Sequence, residues 1–594
     1  MPNIAPGSPA KDPRHIANGS VIPSVNYADQ PYVVILPDRS WLAVMTTGAG
    51  EEGAPGQHVV AARSFDRGAT WNAPVAIEPP DGPEASWCVP LLVPGIGGPL
   101  GRVYAFYVYN IDNMRRVIAD DEYAAARVDT LGAYMFRYSD DGGETWSADR
   151  YEVPVREFEI DRNNPYQGKV RFFWGVSKPL TEAGNVYIGL HKVGSFGEGF
   201  MASSEGCFLV SDNILTESNP ASLRWATLPD GDVGLRATSK PVADEHNITA
   251  LSDGTLFCTY RTTEGHSCHA YSSDGGHTWT PRAHMTYGPG RRKIKHPRAA
   301  NFVRRFSNGR FLYWFHNHGN AWYEGRNPVW LVGGEEIDTP DGKRIAWSEP
   351  EIVLYDDDLA SRMSYPDFIE DDGQFFVTET QKVVARVHPI STDLLGWLWE
   401  GPHRAVPAAA PAAQWAAGEA SVTMPQLPGL WRERRGFSID FSIRFDDLAS
   451  HQTMFDSTGT SGDGVTITLT ERGVLKLTLQ GPTWSETCYS TGNSVAQSAW
   501  DCDAGILQAG REHQVTVIVD AGPKVILWVI DGQLCDGGTQ RSFGWGRFHP
   551  NLDNVNGESV AQVASTLRGR LSHLAVYDRA LLVNEAAAAH RARK

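Results

Sequence analysis

Ser272-Ser273-Asp274-Gly275-Gly276-His277-Thr278-Trp279 carries the pattern S-x-D-x-G-x-T-W, and the pattern returns at Ser64–Trp71 and Ser139–Trp146. Each part does something physical, since Ser and Asp oxygens bond the turn backbone, glycine adopts positive φ, and Trp covers the turn against a sheet. One copy predicts a turn, whereas three predict a repeat. The three Trp lie 75 and then 133 residues apart, and the second interval is close to twice the first. That places an eroded copy at Ser211-Asp212 with Arg224-Trp225, and Trp347, 68 residues past Trp279, extends the series.

Between the boxes, short apolar runs alternate with polar turns. Examples are Tyr32–Leu36 before Trp41–Met45, Ile248–Leu251 before Leu256–Tyr260, and Phe302-Val303 before Phe311–Phe315. Such alternation predicts antiparallel meanders. Units starting near residues 30, 88, 176, 246, 300 and 366 make six four-stranded sheets, the blades of a β-propeller, with seven as the alternative count. From Gly401 the composition turns to Pro and Ala, as in a linker. Beyond it Phe437–Ile443, Gly464–Leu469, Val474–Leu479, His513–Val519 and Lys524–Ile530 alternate strictly, as in a two-sheet sandwich, and the tail reads as a strand and a short helix. The expected fold is all-β: a six-bladed propeller over 1–400, a linker over 401–418 and a jelly-roll sandwich over 419–594.

The chain has 594 residues and a formal charge of −17, which disfavours a nucleic-acid partner. Its one basic cluster, Arg291-Arg292-Lys293 with Lys295, is short and reads as a solvated loop. Seven cysteines lack paired metal-ligand spacing; Cys258 with Cys268 and Cys488 with Cys502 are candidate pairs, buried free thiols the alternative. No stretch has the length of a membrane span and the first residues lack a leader pattern, so a soluble chain is expected, cytoplasmic as given or exported after loss of a leader. No cofactor motif is present, and oligomeric state is not legible.

The boxed turns resemble the Asp-box repeats of the sialidase-like superfamily over the first 400 residues or so. The C-terminal region looks like a laminin-G or concanavalin-like jelly roll, on Val529–Gly532 and Leu571–Asp578. The resemblance implies a glycan substrate, a glutamate paired with a nucleophilic tyrosine, three arginines for a substrate carboxylate, and an acid/base aspartate. Matched residue by residue, Glu245 and Arg261 stand in the fourth unit, Arg298 opens the fifth, Tyr365 opens the sixth, and Glu379 corresponds to the glutamate that steadies the first arginine. The sequence departs at the first strand, where Asp29-Gln30-Pro31 replaces Arg-Ile-Pro. Losing that guanidinium removes bidentate bonds to a carboxylate, so ordinary sialidase activity is not expected. The acid/base aspartate has no clear counterpart, Glu51 and Glu52 lying in a Gly-rich loop.

A neutral phenol suits attack on an anionic sugar, with Glu245 as its base. The catalytic candidates are therefore Tyr365 and Glu245, with His246 and His316 added because neutral imidazoles at strand ends can move protons. Arg261, Arg298, His296, Lys178, Asp29 and Glu379 are the substrate-binding candidates. Each also has a plain structural reading, as an ion pair or a packed strand-end residue. His316-x-His318 shares one strand face but lacks a third ligand, so no metal is assigned. A glycoside hydrolase acting on a glycan terminus is the leading reading. A uronate lyase using His246, His316 or Tyr365, and a non-catalytic glycan binder, are the alternatives. In the sandwich, Trp484 and Trp500 are candidate sugar-stacking residues, with structural support of the first domain an equal alternative.

Overall fold

The computed structural model describes residues 12–119, 127–197, 200–322, 324–483 and 495–594. Six antiparallel sheets succeed one another over residues 20–390. The first holds Tyr27–Ile35, Trp41–Gly48, His58–Ser64 and Val75–Ala76, and the second Ala85–Val93, Arg102–Tyr109, Ala133–Ser139 and Tyr151–Glu152. The third is built on the long hairpin Asn185–Gly197 and Phe200–Ser211, and the fourth begins with Ala243–Ala250 and Leu256–Thr262. Phe302–Arg305 leads the fifth and Phe368–Asp371 the sixth. The sixth sheet takes its outer strand from the other end of the described chain: Ser20–Ile22 pairs with Ala385–Ile390. This strand was not foreseen, because a three-residue segment has no periodicity to read.

First strands of neighbouring sheets pack together, as Ala243–Ala250 does on Phe302–Arg305. Trp87 stacks on Trp174 at 3.9 Å between the second and third sheets, and Phe302 meets Phe368 at 5.9 Å between the fifth and sixth. The boxed turns join third strands to fourth strands. Ser272 Oγ donates to Asp274 and accepts from Gly276 N, Thr278 N donates to Asp274, and Trp279 Nε1 returns to Gly276 O at 3.0 Å. Gly275 and Gly276 hold φ of +72° and +93°, which a side chain would strain. At the eroded copy Asn213 takes the Asp place: Ser211 Oγ donates to Asn213 and accepts from Ile214 N.

Residues 413–577 form two further sheets, one of seven strands and one of six. Ile439, Phe441 and Ile443 face Val465, Ile467, Leu477 and Leu479 across a buried apolar core. Ala413–Gln414 within the Pro/Ala stretch pairs with Gly569–Tyr577, and the chain ends in the helix Val583–Arg593. One apolar cluster joins the two regions, with Trp330, Trp347 and Ile352 against Leu527, Val529 and Trp545. Trp545 Nε1 donates to Asn317 O at 3.0 Å, and Arg14 pairs with Asp520. Cys258 and Cys268 are free and buried, each opposite another residue (Ala270 and Tyr260). Cys502 is also free, while Cys488 and Trp484 lie outside the described residues. Trp500 is partly buried with Arg541 over its ring at 4.9 Å, so that face is already covered. Among the described residues no helix is long and apolar enough to cross a membrane.

Candidate active site

Strand entrances build the site. The first strands of sheets one, two and four each slip register, between Asp29 and Tyr32, Ser86 and Val89, and Asp244 and Asn247. Within or just before the first strands, Gln30, Trp87, Glu245 and Tyr365 take φ of 56°, 63°, 55° and 48°. Left-handed backbone at a non-glycine residue costs about 1–3 kcal/mol and re-aims the side chain, as bulges beside functional sites do.

Tyr365 and Glu245, 120 residues apart, meet at 2.8 Å, the phenol donating to Glu245 Oε1. Arg261 Nη1 lies 2.6 Å from the same oxygen, while its Nε and Nη2 grip Asp244 at 2.6 and 3.0 Å. Arg298 approaches Asp244 at 3.8 Å and donates to Met201 O at 3.0 Å. Arg326 donates to Ser364 Oγ, beside Tyr365, at 2.6 Å. Glu245 Oε2 is buried without a hydrogen-bond partner. Burial raises the Glu245 carboxyl against the pull of Arg261, and burial with the Glu245 charge raises the Tyr365 phenol well above its usual range. Asp244 is the opposite case: burial would raise it, yet Arg261 and Arg298 hold it at about 2. Adjacent carboxylates thus divide the work, one ionised clamp and one proton-seeking group.

A second ionic chain crosses the same mouth. Asp29 accepts from Tyr27 OH at 2.6 Å and from Lys382 Nζ at 2.7 Å, and Lys382 reaches Glu52 at 3.2 Å. Arg127 bridges Glu52 at 3.2 Å to Asp129 at 2.7 Å. Lys382 also stands 4.3 Å from the centre of the Tyr365 ring, a cation–π distance. Burial works to raise Glu52, but Lys382 and Arg127 outweigh it and hold the carboxylate at about 2; burial raises Asp29 despite Lys382. Tyr365 is 3% exposed, Glu245 0% and Arg298 2%, while Lys382 and Glu52 beside them are partly exposed.

Of the sequence candidates, Tyr365, Glu245, Arg261, Arg298 and Asp29 come together. The others do not. His246 turns to the opposite face, stacks on Tyr260 at 4.3 Å and fills the space left by Gly206, where a Cβ would lie 2.2 Å from it; burial keeps it neutral at about 3. His296 Nδ1 accepts from His316 N at 3.3 Å, so its Nε2 carries the proton toward Ala299 O at 2.8 Å. His316 stacks on His296 at 5.9 Å with Nδ1 near Pro328 O. Both imidazoles serve the fifth-sheet backbone. Lys178 bonds Asp367 at 2.7 Å and lines a cavity of about 410 Å³ toward the far ends of the first strands, away from Tyr365. Glu379 is fully buried on the strand face opposite Thr378 and Thr380, and is engaged by His388 at 3.2 Å and Arg386 at 3.9 Å.

Sequence reasoning passed over Arg326 and Arg127, and met Lys382 and His191 as strand-end residues without assigning them a role. His191 Nδ1 accepts from Glu245 N at 3.1 Å and so holds the left-handed turn at that residue. Arg326 and Arg127 sit in connections with no strand pattern to give a register, while Lys382 was legible as a strand-end residue and lacked only its partner. Glu52 was visible in its loop without one.

The class of chain that the fold and this site define is an all-β protein with Asp-box turns, and the BNR/Asp-box repeat model matches residues 137–148. No curated protein matches the chain in sequence. Among solved structures it is similar to a protein of unknown function from Dyadobacter fermentans, with 14% identity over 63% of this chain and 97% of that one and a TM-score of 0.45. The intramolecular trans-sialidase of Ruminococcus gnavus shares 14% identity over 64% and 98%, TM-score 0.43, and Trypanosoma rangeli sialidase 12% over 96% and 94%, TM-score 0.40.

Proposed function

We propose that residues 20–390 are a six-bladed propeller of sialidase-like type, followed by a jelly-roll sandwich whose first strand, Ala413–Gln414, lies inside the 401–418 stretch expected as a linker. We propose further that the buried centre is a glycoside hydrolase site acting on a glycan terminus. The observation that carries this reading is the Tyr365–Glu245 contact of 2.8 Å, with Arg261 on the same carboxylate oxygen. Glu245 takes the phenolic proton as the tyrosine oxygen bonds to the anomeric carbon, the bond to the departing sugar oxygen breaks, and water then hydrolyses the tyrosyl glycoside. The departing oxygen takes its proton from water, because Lys382 and Arg127 keep Glu52 ionised.

Arg261, Arg298 and Arg326 suit an anionic or polyhydroxylated sugar. Asp29 stands where a sialidase-like site has its first arginine, so the sugar is not an ordinary sialic acid. Elimination remains the second reading with Tyr365 as its proton carrier, His246 and His316 being engaged outside the cluster. The test is a screen of natural glycans with mass detection of products, run on the wild-type chain and on Tyr365→Phe. Water-added products absent from the variant support hydrolysis; unsaturated uronates would replace it with a lyase, and silence on every glycan with retained binding would leave a binding protein.

A further inference from the structure

Away from the centre, Glu264, Cys268 and His284 each turn one ligand atom toward a common point, all three atoms lying within 4.8 Å of one another. We propose that these three side chains form a zinc site on the fourth sheet, distinct from the glycan pocket. Glu264 comes from the loop after Leu256–Thr262, Cys268 opens Cys268–Ser272, and His284 ends Ala283–His284. Thiolate, imidazole and carboxylate are the donors zinc takes, and with two ionised ligands the site is neutral, which suits a half-buried position.

The surroundings orient the ligands. Glu264 Oε1 is fixed by Ser239 N at 2.6 Å, Ser239 Oγ at 2.9 Å and Lys240 N at 2.8 Å, which leaves Oε2 facing His284 Nε2 at 2.6 Å and Cys268 Sγ at 3.9 Å. Outer partners of this kind fix a ligating carboxylate. Thr238 Oγ1 lies 2.5 Å from Glu264 Oε2 and 3.1 Å from His284 Nε2. One group opposes the metal: Lys293 Nζ is 2.9 Å from His284 Nδ1. Coordination through Nε2 moves the imidazole proton to Nδ1, so exposed Lys293 must swing into solvent. The thiol proton is released, one per metal ion. The site would fasten the loop after Arg261, whose Gly265 carbonyl accepts from His296 N at 2.9 Å.

Cobalt(II) titration of the full chain after chelator treatment tests this, with visible absorption as the readout. The expected result is one cobalt per chain, the intense visible bands of tetrahedral geometry and a thiolate charge-transfer band, all displaced by zinc. Cys268→Ser abolishes the charge-transfer band, whereas Cys535→Ser leaves it unchanged. Glu264→Gln weakens binding by at least about tenfold, and Lys293→Met tightens it. A wild-type chain without the band, a band that survives Cys268→Ser, or indifference to both Glu264→Gln and Lys293→Met would overturn the site. The last pair decides the matter even if the cysteine variant fails to fold, and no arm depends on the glycan reaction.

Discussion

Asp29 in the first sheet and Lys382 at the end of a sixth-sheet strand are joined at 2.7 Å, 353 residues apart in sequence. The pair sets a carboxylate in the first sheet against an ammonium in the sixth. An ammonium is a compact point charge and lacks the planar fork with which guanidinium grips a carboxylate.

Replacing Lys382 by Met strands Asp29 and Glu52 without their shared cation. Breaking a buried pair in this way costs about 3–5 kcal/mol. Urea unfolding should show that loss, and the double change Asp29→Asn with Lys382→Met should recover part of it. An additive double mutant would mean that the two side chains do not act as a pair.

For Tyr365 and Glu245 the expected effect is on turnover, not folding. Glu245→Gln keeps the shape and removes the base, so kcat on a responsive glycan should fall by about 10²–10⁴ with the circular dichroism spectrum unchanged. Tyr365→Phe should abolish any covalent glycosyl adduct seen by intact-mass measurement.

Acid should loosen the centre in a defined window. Asp244 drops from 3.8 to about 2 on folding, so the stability it contributes is complete above its unfolded value and is lost as pH falls toward 2. Glu52 follows the same sign between 4.5 and about 2. Glu245 and Asp29 are raised and act in the opposite sense, favouring the fold below their usual range and losing that contribution as pH rises. Unfolding free energies measured through the acid range should therefore fall less steeply for Asp244→Asn than for wild type, though the variant starts lower.

Removing residues 419–594 would uncover Trp330, Trp347 and Ile352, which now share a cluster with Leu527, Val529 and Trp545. Exposed patches of this kind drive association. Size-exclusion chromatography of the shortened chain should show aggregation; a monomer with unchanged stability would mean that the C-terminal region is only appended.

Local rules made much of this protein legible from sequence. The boxes at Trp71, Trp146 and Trp279 come from turn chemistry contained within eight residues, and the strand alternation from a period of two. Together these marked an all-β chain, the starts of successive sheets and the strand ends where Glu245, Arg261 and Tyr365 lie. Only the tertiary structure decided which strand ends converge and which face each side chain takes. A bulge at Asp244–Asn247 turns Glu245 to the centre and His246 away, and Glu379 is buried against His388 while Lys382 reaches Asp29. Pairings such as Asp29 with Lys382, or Arg326 beside Tyr365, join distant segments and leave no periodic trace, because electrostatic partners are chosen by proximity in space and not by spacing along the chain.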